Sequence, residues 1–234
     1  MKKFFDPDNP VMRALAALGD LLWLNILTMV CSIPVFTIGA SLSAMHYVLL
    51  KSARGEEGYV TKSFFHAFRD NFRQATILWL IWLAVFAVIG TDLWLLRNNP
   101  DLFPKFFHYI VYAAFVFLFM IFLWVFPLQM HFDNTIRMTL KNAALLAVAN
   151  VPRTLLMTSV WVIPAAILFY VVPAYPVVLM FGLTGPGFVN AKMVSPVFAR
   201  FEPKQEETQD RSLQDDDPEL QEAIRELQEA RDRK

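Results

Sequence analysis

Any chemistry in this chain falls to a few polar groups set inside apolar runs. Asp20 lies six residues into an apolar segment that opens at Ala14, and Asn25 follows five residues later. Ionisable groups at membrane depth are costly. They persist where they line a pathway, meet a partner or reach the interface. Asp20 is placed either for such a role or to pair with Arg13 or Arg137. Two further candidates are stretches of backbone. Ser32–Ser41 reads SIPVFTIGAS, and Gly182–Asn190 reads GLTGPGFVN. Pro and Gly there break a helix and free N–H and C=O groups that lipid cannot satisfy. Paired breaks of this kind hold solutes near the midplane in transporters. They also serve as plain kinks, or as close packing through small residues such as Gly39-Ala40-Ser41. The candidate solute or packing site is therefore Asp20 and Asn25, with Pro34, Thr37 and Gly39 from the first stretch and Gly185, Pro186 and Asn190 from the last.

Other chemistries find no support. Metalloprotease, nucleophile-elbow, P-loop and dinucleotide-binding patterns are missing from the sequence. His46, His66, His108 and His131 lack metal-ligand spacing. The lone Cys31 excludes an intramolecular disulfide and any multi-cysteine metal site. The expectation is a non-enzyme without cofactor or metal. The basic residues are scattered through short loops, which argues against nucleic acid as a partner.

The elements that must position these groups are membrane helices. Hydrophobic residues make up 56% of the chain and charged ones only 18%, too apolar for a soluble domain of this size to bury. Apolar blocks cover 14–50, 75–96, 106–130, 154–172 and 174–191. The last two are separated by a tight turn around Pro173 and Pro176. A single helix over 14–50 would be about 55 Å long, too long for a bilayer core of about 30 Å. Pro34 divides it, with Thr37 or Ser32 available to cap a new start. Either one kinked helix crosses once, or helix 14–31 crosses out and helix 35–50 returns. The positive-inside rule favours the return. It places 13 Lys/Arg inside and only Arg97 and Lys105 outside, whereas a single crossing gives 10 against 5. The expected fold is all-α and polytopic, with six membrane helices and both termini in the cytoplasm. The helix over 35–50 reaches only about 24 Å, so it is re-entrant or rests on its neighbours.

Thr61–Gln74 places Phe64, Phe65, Phe68 and Phe72 on one face and reads as an amphipathic helix at the interface. Lys62 and Asn71 recur 79 residues later as Lys141 and Asn150, a faint internal echo ahead of two membrane helices. Residues 1–201 form the membrane domain, with a net charge of +6. Residues 202–234 form a tail with a net charge of −6 that ends in a short helix opened by Asp217 and Pro218.

At DLLWLN (Asp20–Asn25), IPVFTIGASLSA (Ile33–Ala44) and GEEGYVTKSFFHAFRDN (Gly55–Asn71) the chain resembles the YesL-like family of bacterial integral membrane proteins. That resemblance implies a multi-helix protein of the bacterial cell membrane, of unknown function and associated with carbohydrate uptake. It defines no catalytic residues. The expected role is a non-enzymatic accessory component that meets the lipid bilayer and a membrane partner such as a sugar permease or sensor. The alternative is a small-solute transporter or channel built on the two broken segments.

Overall fold

The computed structural model describes residues 10–56, 58–99, 103–171, 173 and 175–201. The acidic tail from Glu202 onward, with its expected helix, lies outside the described residues. All regular structure among the described residues is helical. The order is α1 (Pro10–Cys31), α2 (Ile38–Ala53), α3 (Val60–Asp70), α4 (Phe72–Asn98), α5 (Lys105–His131), α6 (Ile136–Ala149), α7 (Val151–Tyr170), α8 (Tyr175–Phe181) and α9 (Thr184–Phe198). A short 3-10 turn, Val35–Thr37, leads into α2. Helices suit so apolar a chain because each satisfies its own N–H and C=O groups without water. One compact unit runs from Met1 to Ser195, and the end of α9 belongs to a second, Pro196–Lys234.

Three helices are long and apolar enough to cross a membrane: α1 from Val11, α4 and α5. Two bent pairs raise the number of candidate spans to five if each pair is one span. The pair α6–α7 bends by 101° and the pair α8–α9 by 47°.

The short α2 is the hub of the body. It packs against α1, α3, α4 and α5. Gly39, Ala40, Ser41, Ser43, Ala44, Met45, His46, Leu49 and Leu50 are all buried along it. Its 16 residues reach only about 24 Å, and its neighbours enclose it. Small residues make the close packing possible. A Cβ at Gly39 would collide with the Ala75 carbonyl and the Trp79 Cβ of α4. Inside the same core, Ser43 donates to Oε1 of Gln129 on α5 at 3.2 Å. The hairpin of α4 and α5 is held by aromatic contacts, with Phe122 edge-on to Trp82 and Phe86 at 5.5 and 5.4 Å.

The amphipathic segment differs from its sequence expectation. Phe64 enters the core cluster with Leu24, Met45 and Leu49, and Phe68 packs against the same cluster. The aromatic face thus covers α1 and α2, and Phe65 stays half-exposed beside it. The helix also stops at Asp70 rather than running to Gln74, because Asn71 turns the chain. Asn71 Nδ2 bonds to the Ala67 carbonyl at 3.3 Å, while the Asn71 carbonyl accepts the first bond of α4, from Ala75 N–H at 2.9 Å. The same joint recurs at Asn150. Its Nδ2 bonds to the Leu146 carbonyl at 3.2 Å, and its carbonyl accepts from Thr154 N–H at 2.9 Å. The echo in sequence is thus a repeated corner, a short helix turning into a long one. α6 is the element hydropathy passes over, since residues 136–149 mix polar and apolar side chains too evenly to stand out.

Candidate functional site

The break between α8 and α9 leaves backbone groups without helical partners, and Asn25 of α1 takes them up. The Asn25 side chain is only 1% exposed. Its Nδ2 donates to the Leu179 carbonyl at 2.8 Å. Its Oδ1 accepts from the N–H groups of Leu183 and Thr184, each at 3.3 Å. One amide therefore closes the end of α8 and the start of α9 together. A primary amide suits this task because it carries donors and an acceptor on one planar group. Gly182 sits at the elbow. A Cβ there would collide with the Val178 carbonyl, so the turn needs glycine.

The first break is closed in a similar way by different groups. Thr37 precedes α2, yet its side chain caps no N–H. Its hydroxyl lies 2.6 Å from the carbonyls of both Cys31 and Pro34, as a donor. Thr37 thus serves the end of α1 rather than the start of α2, which corrects the capping role expected from sequence. The Val35 carbonyl accepts from the Trp79 indole of α4 at 2.8 Å. Pro34 itself is exposed at the turn.

The remaining predicted residues divide. Gly39 is buried against α4. Gly185 has room beside it, its nearest neighbour to a Cβ being Phe181 at 3.7 Å. Pro186 is buried. Asn190 is fully buried, and among the described residues neither its Nδ2 nor its Oδ1 finds a hydrogen-bond partner. The two breaks meet different helices, α4 for the first and α1 for the second. A cavity of about 330 Å³ adjoins the second break, walled by Asn25, Met29, Trp161, Pro164, Leu179 and Gly182. Pro34, Thr37 and Gly39 do not line it.

Asp20 lies elsewhere, in a polar cleft between α1, the end of α2 and the start of α3. Two adjoining cavities, of about 310 and 680 Å³, share Asp20, Gly58 and Val60 in their walls. Lys51, Ser52 and Glu56 line the first. Trp23, Tyr59, Lys62 and Phe65 line the second. Gly55 turns the connecting loop with φ at +74°, a left-handed conformation that favours glycine. Glu56 then folds back onto Arg54 at 3.2 Å and Lys51 at 3.9 Å. Trp23 Nε1 donates to Thr61 Oγ1 at 2.7 Å and fixes α3 to α1. Sequence reasoning singled out Asp20 but missed the rest of this cleft. The signal was the GEEGY loop, whose glycines bring Glu56 and Gly58–Lys62 back to α1. Among the described residues, no cluster of His, Cys, Asp and Glu side chains could hold a metal ion.

These residues place the chain among known proteins. The sequence profile of DUF624, a protein family of unknown function, matches residues 20–93. The chain is also similar to the uncharacterized protein YteU of Bacillus subtilis, at 30% identity over 168 residues, which cover 70% of this chain and 74% of YteU. The chain belongs to the DUF624 family. No solved structure matches it. The segment that carries the DUF624 signature runs from Asp20 in α1 to near the end of α4. It holds Asn25, the first break, the Gly39 contact and the Asp20 cleft. The second break lies beyond it, so Asn25 ties the DUF624 segment to the last third of the chain.

Replacing Asn25 with leucine keeps the branched skeleton of the side chain, removes its polar atoms and strands the Leu183 and Thr184 N–H groups and the Leu179 carbonyl. The expected cost is about 2–4 kcal/mol, from buried groups left unpaired. Thermal unfolding in detergent checks this, with Ile26→Leu, on the exposed side of α1, expected to leave the melting temperature unchanged.

Proposed function

We propose that this chain is a YesL-like accessory protein of the bacterial cell membrane, non-enzymatic, that binds a carbohydrate permease or sensor. It has six membrane helices, with α1 crossing outward, α2 returning, and both termini in the cytoplasm. The observation that carries this reading is the closure of both helix breaks from within the protein. Asn25, Thr37 and Trp79 occupy backbone groups that a transporter would offer to its solute. A solute path through paired breaks would also need them to share a cavity. The first faces α4 and the second faces α1. The carbohydrate connection draws its support from the YesL-like resemblance.

The orientation draws on charge. With α1 outward and α2 back, Lys51, Arg54, Lys62, Arg69 and Arg73 share the inner side with Arg137, Lys141 and Arg153. Cys31, the only cysteine in the chain, then lies at the outer turn. A membrane-impermeant maleimide applied to intact cells labels Cys31, whereas a Lys141→Cys variant in a Cys31→Ser background reacts only after permeabilisation. The reverse pattern contradicts the proposed topology. For the partner, affinity purification in mild detergent recovers a carbohydrate permease or sensor in stoichiometric amount. Repeated recovery of the chain alone counts against an accessory role.

A further inference from the structure

The Asp20 cleft combines three features that the helix packing does not require. The Asp20 carboxylate is exposed, and among the described residues no ion pair or hydrogen bond reaches it. Lys62, in the same wall, has no partner among the described residues either, while Lys51 is engaged by Glu56 and lies 5.8 Å from the centre of the Tyr47 ring. Trp23, Tyr59 and Phe65 remain 46%, 85% and 47% exposed around the cleft. A carboxylate beside open aromatic faces suits an organic ammonium group. A lysine in the same wall suits a phosphate. Exposed Trp, Tyr and Phe level with the C-terminal end of α2, where Lys51 and Ser52 line the same cleft, suit the headgroup region of a bilayer.

We propose that the Asp20 cleft binds the headgroup of a zwitterionic aminophospholipid, phosphatidylethanolamine. The ammonium sits against the Asp20 carboxylate and the faces of Trp23 and Tyr59. The phosphodiester sits against Lys62, and the glycerol end leaves past Phe65 towards the bilayer. A primary ammonium donates hydrogen bonds to the carboxylate, which the quaternary ammonium of phosphatidylcholine cannot do. Phosphatidylglycerol lacks a cation and places only negative charge near Asp20. The site lies within the DUF624 segment and is independent of the partner proposed above.

The test uses the full chain in detergent. Binding of short-chain phosphatidylethanolamine, phosphatidylcholine and phosphatidylglycerol is measured by native mass spectrometry, with water-soluble glycerophosphoethanolamine as the non-lipid source of the same headgroup. Phosphatidylethanolamine binds about tenfold more tightly than either other lipid, as a charge-assisted hydrogen bond implies. Asp20→Asn abolishes that preference. Lys62→Gln weakens phosphatidylethanolamine and phosphatidylcholine alike and leaves their ratio unchanged. Both side chains are exposed, so unaltered thermal unfolding separates lost binding from lost fold. Equal binding of the three lipids overturns the proposal, as does a preference that survives Asp20→Asn. Glycerophosphoethanolamine binding as tightly as the lipid overturns the assignment to a membrane source.

Discussion

The packing of this protein turns on one side-chain amide. Asn25 sits inside a helix apolar enough to cross a membrane, where an unpaired amide would be expensive. It is stable there because the broken backbone between α8 and α9 supplies an acceptor and two donors at the same place. The dependence runs both ways. Without Asn25 the break would leave N–H and C=O groups with no water to meet them, and without the break Asn25 would be the orphan. Each element makes the other tolerable in an apolar setting. The joint also links residues more than 150 positions apart.

A second rule runs through the fold: corners are built from residues that bond their own backbone. Asn71 and Asn150 each end a short helix and begin a long one, through matching side-chain and main-chain bonds. Thr37 closes the end of α1 in the same spirit. Around these corners α2 acts as a spacer too short to be independent. Its small residues let α4 approach until only a glycine fits at position 39. The protein is held by close backbone approach and a few well-placed polar bonds, with apolar surface left to the lipid.

Much of this was legible in the residues. Hydropathy located α1, α4, α5 and α7, Pro34 marked the end of α1, and the Gly-rich stretch after Phe181 marked the second break. Asn25 also stood out by type, as an amide in an apolar helix. Its partner did not, because periodicity and propensity are local and Leu179 is remote in sequence. Thr37 looked like an N-cap, which is its commonest use, but its hydroxyl turns back to the carbonyls of Cys31 and Pro34. The face of Phe64 and Phe68 looked lipid-directed because an aromatic stripe reads the same whether it meets lipid or protein. α6 escaped notice because a helix lying across a corner needs no long apolar run. The Asp20 cleft depended on a loop returning to α1, which no local pattern encodes.

The two broken segments therefore read as structural joints, and the open, charged cleft at Asp20 lies apart from them, midway along α1 beside the end of α2. That division rests on the claim that Asn25 holds the α8–α9 break closed. Hydrogen–deuterium exchange across residues 179–187, compared between the native chain and Asn25→Leu, tests it most directly. The account predicts slow exchange at Leu183 and Thr184 in the native protein and marked acceleration confined to that break in the variant. Equal protection in both proteins would contradict it.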